Sequence, residues 1–139
     1  MFDPRGLPAP LRSAADALGA ARHASLRLGL ASNCQPYSLR ELEAVLAAAA
    51  LSRDLFDPWL TFLSFEHGFS KPDPHVFQFL TIRLAARGIS PVATLMVGDR
   101  CANDIAPAKN HGWRTWQFAA DATGEGAGGW GVLRRRLRL

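Results

Sequence analysis

A chain of 139 residues that is 48% hydrophobic and 20% charged falls in the ordinary globular range, with room for one sizeable core. Its apolar runs, such as 44–51, fall far short of the roughly 20 residues a membrane span needs, so no transmembrane helix is expected. Met1–Gly6 shows no basic segment leading into an apolar one, which predicts a cytoplasmic protein and no secretory signal. The net charge of +4 owes much to Arg134, Arg135, Arg136 and Arg138, read as a solvated basic helix end, so nucleic-acid binding is not expected. Cys34 and Cys101 form neither a disulfide framework nor a CxxC pattern and read as free thiols.

In chain order, Leu11, Ala14, Ala15 and Leu18 recur at helical spacing and predict a first helix over 11–22. Leu26–Ala31 is a short apolar run ending at the polar pair Ser32-Asn33, which suits a buried strand and the loop after it. An Ala- and Leu-rich second helix is expected over 37–51, and the aromatic, β-branched run Trp59–Phe65 predicts a second strand. Lys71 falls in the following loop. A third helix is expected over 74–87, with Asp73 as N-cap, Pro74 at its first position and Gly88 at its end. Thr94–Val97 reads as a third strand turning at Gly98-Asp99, then a helix over 104–110 and a fourth strand over 113–118. The chain thus divides into an α/β core over 1–118, a Gly-rich connection over 119–131 and a short basic helix over 132–139. Helices alternating with short apolar strands predict a three-layer parallel sheet, whose ligands bind beyond the C-terminal strand ends.

Three polar loops gather at those ends. In Gly98-Asp99-Arg100-Cys101-Ala102-Asn103-Asp104, two carboxylates five apart straddle a strand-to-helix turn and can face one Mg²⁺, although a turn Asp plus a capping Asp has the same pattern. Ser32 offers a hydroxyl to a phosphate oxygen, and is also an ordinary loop residue. Lys71, in a loop stiffened by Pro72 and Pro74, is a cation of limited reach or a solvated lysine.

Taken in order, strand-Ser32-Asn33, Lys71-Pro-Asp-Pro and strand-Gly98-Asp99 with Asn103-Asp104 resemble the second, third and fourth motifs of the haloacid dehalogenase-like (HAD) hydrolase superfamily, over about Pro10–Phe118. The resemblance implies a Rossmann-like sheet and Mg²⁺-dependent hydrolysis of a small phosphate monoester through an aspartyl-phosphate. It implies phosphate binding by Ser32, Asn33 and Lys71, with Lys71 also catalytic through charge stabilisation. Asp99 and Asp104 would serve the metal, with Asn103 in support.

The first motif of that family, an apolar strand ending in Asp-x-Asp-x-Thr or -Val, is not found. Only two residues precede Asp3, too few for a buried strand, and Arg5 stands where the second acid would be. In the family this strand is central, between those ending at Ser32 and Asp99, so both nucleophile and central strand are expected to be lacking. No cap fits between Ser32 and Lys71. The chain alone is then expected to be inactive, with three explanations: a truncated hydrolase, which is favoured, a subunit completed by another chain or by self-association, or a non-catalytic phosphate- and Mg²⁺-binding or scaffold relative. Other signals carry less. Gly124–Gly129 matches GxGxxG without the later acidic residue of a dinucleotide site, and His23, His67, His75 and His111 have no metal-ligand spacing.

Overall fold

The computed structural model describes residues 9–119 and 126–139; Asp3 and the first two residues of the Gly124–Gly129 stretch lie outside them. The fold is α/β, with every strand pair parallel and helices packed against the strands. Helix α1 (Ala9–His23) buries Ala17 and Ala21, one turn apart, and closes on Arg22 and His23, cations suited to a helix C-terminus. Strand β1 (Leu30–Ser32) starts later than the apolar run. A Cβ on Gly29 would lie 2.6 Å from the Leu60 carbonyl oxygen, so the bare backbone there lets β1 approach β2 (Thr61–Leu63).

Helix α2 (Pro36–Ala48) stops three residues short of the expected end. Ala50 takes a positive φ of 58°, and the Leu51 N–H donates back to the Leu46 carbonyl at 2.7 Å, closing the helix and turning Leu51 into the apolar cluster of Leu46, Leu55 and Phe56. The second strand is shorter at both ends. Asp57 accepts from the Trp59 N–H at 2.9 Å and caps a 3₁₀ turn (Pro58–Leu60), while helix α3 (Ser64–His67) begins at once after Leu63. Trp59 therefore leaves the strand; its indole donates to the Arg83 carbonyl and lies 4.2 Å beneath the Arg83 guanidinium.

Helix α4 (Pro74–Ala86) matches expectation. Asp73 accepts from the His75 N–H at 2.9 Å, and this bond, with a second from the His75 ring, holds its carboxyl below the ordinary carboxylate range. Strand β3 (Leu95–Gly98) leads through a π-type turn (Cys101–Ile105) into helix α5 (Ala106–Asn110), so Asp104 lies inside the turn that precedes the helix and is not its cap. Strand β4 (Arg114–Phe118) pairs with a short β5 (Ala127–Gly128), and helix α6 (Trp130–Leu137) packs against α1 while burying Leu133. The stretch read as a connection over 119–131 thus contributes a strand and the start of the last helix.

The hydrogen-bonded strands form two sheets, β1-β2 and β3-β4-β5. One core serves both: Phe62 of β2 and Met96 of β3 share a cluster with Val76, Phe77 and Leu80 of α4 and Trp113. Among the described residues β1 and β3 pair neither with each other nor with a second neighbour, so each keeps one unpaired edge. All three β1 residues are only half buried, whereas strands inside parallel sheets are normally covered on both faces.

Candidate active site

The loops after β1, α3 and β3 carry the candidate residues. Ser32 ends β1 opposite Leu63 and is half buried, and its hydroxyl makes no hydrogen bond within the described residues. The next residue does something the sequence did not announce. The Asn33 carboxamide donates to the Lys71 carbonyl and accepts from the Lys71 N–H, both at 2.9 Å, and so ties the β1 loop to the Lys71 loop. One residue further, the Cys34 N–H donates to Ser64 Oγ at 2.9 Å, and that hydroxyl donates to the Cys34 carbonyl at 3.2 Å. The aromatic, β-branched run predicts a strand through Ser64; its place at the first turn of α3 instead points its hydroxyl at the β1 loop.

Lys71 is not a solvated lysine. Its ammonium meets Asp104 Oδ1 at 2.5 Å, with side chains only 11% and 6% exposed. Asp104 Oδ2 accepts from the Arg100 N–H at 3.3 Å, so both carboxylate oxygens are engaged. The pair joins the end of one sheet to the end of the other. Beside it Asp99 is exposed and makes no ion pair among the described residues. Asn103 is half buried in the π-type turn. Cys34 is half buried, Cys101 is exposed, and both are free thiols.

Gly98 sets the distance between strand and turn. A Cβ there would sit 2.5 Å from Cβ and Cγ of Asp104, against the stem of a side chain held at both oxygens. Gly98→Ala should therefore displace Asp104 from Lys71 and cost about 1–3 kcal/mol, as overpacking does. Chemical denaturation checks this; an unchanged midpoint would mean that Asp104 yields freely.

The donors suit a hard cation. Among the described residues no three His, Cys, Asp or Glu side chains group to hold a metal unaided. Mg²⁺ asks for less, one or two carboxylates completed by water and phosphate oxygens. Asp99 can supply a direct ligand, with Asp104 on the same turn as a shared acceptor. An open cavity of about 550 Å³ between α1, α2 and α6, lined by Arg12, Asp16, His23 and Arg134 among others, shares no residue with this group.

Residues 68–127, which carry Lys71, Asp99 and Asp104, match the HAD-hydrolase-like family model. The fold is similar to that of a HAD-like family hydrolase from Porphyromonas gingivalis, at 26% identity and a TM-score of 0.67, covering 91% of this chain and 57% of that one. Residues 68–127 thus resemble the HAD-like hydrolases in sequence, and the chain shares their fold. Two further structures share its fold. The HAD phosphatase from Thermococcus onnurineus matches at 23% identity and a TM-score of 0.68, over 88% of this chain and 55% of that one. The HAD-hydrolase YfnB from Bacillus subtilis, solved bound to magnesium, matches at 20% identity and a TM-score of 0.69, over 89% and 54%. No curated protein matches. This HAD-like chain spans little more than half the length of the three structures. No helix among its described residues is long and apolar enough to cross a membrane.

Proposed function

We propose that this chain carries the phosphate- and Mg²⁺-binding part of a cytoplasmic phosphomonoester hydrolase acting on a small phosphorylated substrate. The observation that carries this reading is the Lys71–Asp104 pair, taken with the Ser32 hydroxyl at the end of β1 and the exposed carboxylate of Asp99 after β3. One proton of the Lys71 ammonium is used by Asp104, leaving two to donate to phosphoryl oxygens. Ser32 Oγ adds a third donor from the facing strand. Asp104 aims the Lys71 ammonium, and Asp99 would hold Mg²⁺, which when bound neutralises charge on the phosphoryl oxygens.

The nucleophile of such a reaction is a carboxylate in line with the leaving oxygen, and this sequence has no strand ending in Asp-x-Asp-x-Thr or -Val. The unpaired edges of β1 and β3 favour a reading in which a further parallel strand brings that carboxylate, from a longer form of this polypeptide or from a partner chain. On this reading the 139 residues alone bind but do not turn over. A permanently non-catalytic phosphate-binding or scaffold protein is the second reading, and supplying the strand separates the two.

The binding half of the proposal is tested by titrating inorganic phosphate into the chain with and without Mg²⁺. Mg²⁺ should strengthen phosphate binding, and Asp99→Asn should remove about tenfold or more of that gain, the scale of one lost charged contact. Phosphate binding that ignores both Mg²⁺ and Asp99→Asn would exclude Asp99 as the metal carboxylate.

A further inference from the structure

Resting on that reading of the site, we infer that Asn33 is a positioning residue for Lys71, and that its carboxamide works on the Lys71 main chain and not on the substrate. A carboxamide is an adjacent donor and acceptor, and the peptide unit on either side of Lys71 Cα offers the complementary acceptor and donor. Asn33 satisfies both at 2.9 Å across a sequence separation of 38 residues. The two bonds form a ring, so Lys71 Cα can neither slide nor rotate relative to β1 without breaking one of them.

The consequence reaches the ammonium. Lys71 has a flexible four-carbon stem whose tip is fixed by Asp104 at one end of the other sheet. With the root held by Asn33 and the tip by Asp104, the side chain spans from the loop after β1 to the turn after β3. Asn33 is itself exposed, and its loop is held by the Ser64 hydroxyl on Cys34, so the clamp is anchored without burial. A direct phosphate role for Asn33 would draw on the one amide proton that Lys71 leaves unused.

The full chain, labelled with ¹⁵N, tests this through two Lys71 signals: exchange of its backbone N–H and the resonance of its side-chain ammonium. Asn33→Ala should speed exchange of the Lys71 N–H about tenfold, the scale of one lost hydrogen bond, and shift or broaden the ammonium signal. Ser64→Ala loosens the same loop but leaves the Asn33 carboxamide in place, and should change both signals clearly less than Asn33→Ala does. Asn33→Asp, which keeps the acceptor and loses the donor, should fall between, and it carries the test if Asn33→Ala does not fold. Wild-type Lys71 signals in Asn33→Ala or Asn33→Asp would overturn the inference, as would equal changes in Ser64→Ala. The hydrolase reading fails separately: a wild-type chain that binds no inorganic phosphate with Mg²⁺ overturns that reading, while the Lys71 signals still decide the clamp.

Discussion

Asp104→Ala should lower the stability of this chain by about 3–5 kcal/mol, because it strands the buried Lys71 ammonium without a counter-ion. Asp104 is 4% exposed and serves two donors, Lys71 Nζ and the Arg100 N–H, so the substitution orphans both at once. The pair also joins loops from two sheets that share no backbone ladder, leaving the common apolar core as their other bond. For a domain of this size the loss corresponds to roughly 10–20 °C in thermal midpoint. The double variant Lys71→Met with Asp104→Leu should recover much of it, since removing both charges avoids leaving one unpaired. A thermal melt of the three variants checks this. A double variant no better than Asp104→Ala would show that the Asp104 bond to the Arg100 N–H, and not the ion pair, carries the stability.

The second large effect is catalytic. The chain alone should hydrolyse an aryl phosphate negligibly, and linking to it a strand of alternating β-branched residues ending in Asp-x-Asp-x-Thr should raise the Mg²⁺-dependent rate by up to about 10⁶-fold, the scale on which removal of a nucleophile from a cooperating site is felt. The physical basis is division of labour. Ser32, Lys71 and Asp99 can bind and stabilise charge, but none of them is a carboxylate in line with the leaving oxygen. Replacing the first Asp of the added strand by Asn should abolish the gain, and Asp99→Asn should abolish it too. Mg²⁺-dependent turnover by the unextended chain, lost in Asp99→Asn, would place the nucleophile inside these residues and defeat the account.

What the sequence disclosed was whatever local chemistry punctuates. Asp73-Pro74 and Gly88 bound α4 because a side-chain acceptor, a residue without N–H and a residue tolerant of positive φ each suit one position only. Gly98-Asp99 was legible for the same reason. Strand lengths were not: Trp59 and Phe65 have strand character, yet Asp57 capping the Pro58 turn and the early onset of α3 leave only Thr61–Leu63 in the ladder. Long-range pairing was invisible as well. Nothing near Asn33 or Lys71 reveals a ring of hydrogen bonds between residues 38 apart, and a carboxamide after a strand resembles an anion ligand equally well. Ser64 was missed because Ser-Phe reads as the continuation of an apolar strand. The lack of a central strand was legible, from a gap in an otherwise ordered series, while the division into two sheets with both edges left unpaired required the structure.

The most direct test of an interrupted parallel sheet is hydrogen exchange of the backbone amides of Leu30–Ser32 and Leu95–Gly98, measured on the full chain before and after the strand ending in Asp-x-Asp-x-Thr is supplied. An inserted parallel strand would bond to both edges, so amides of both segments that were unprotected should become protected together, with those of Arg114–Phe118 unchanged. Protection of only one edge, or of neither, would contradict the account.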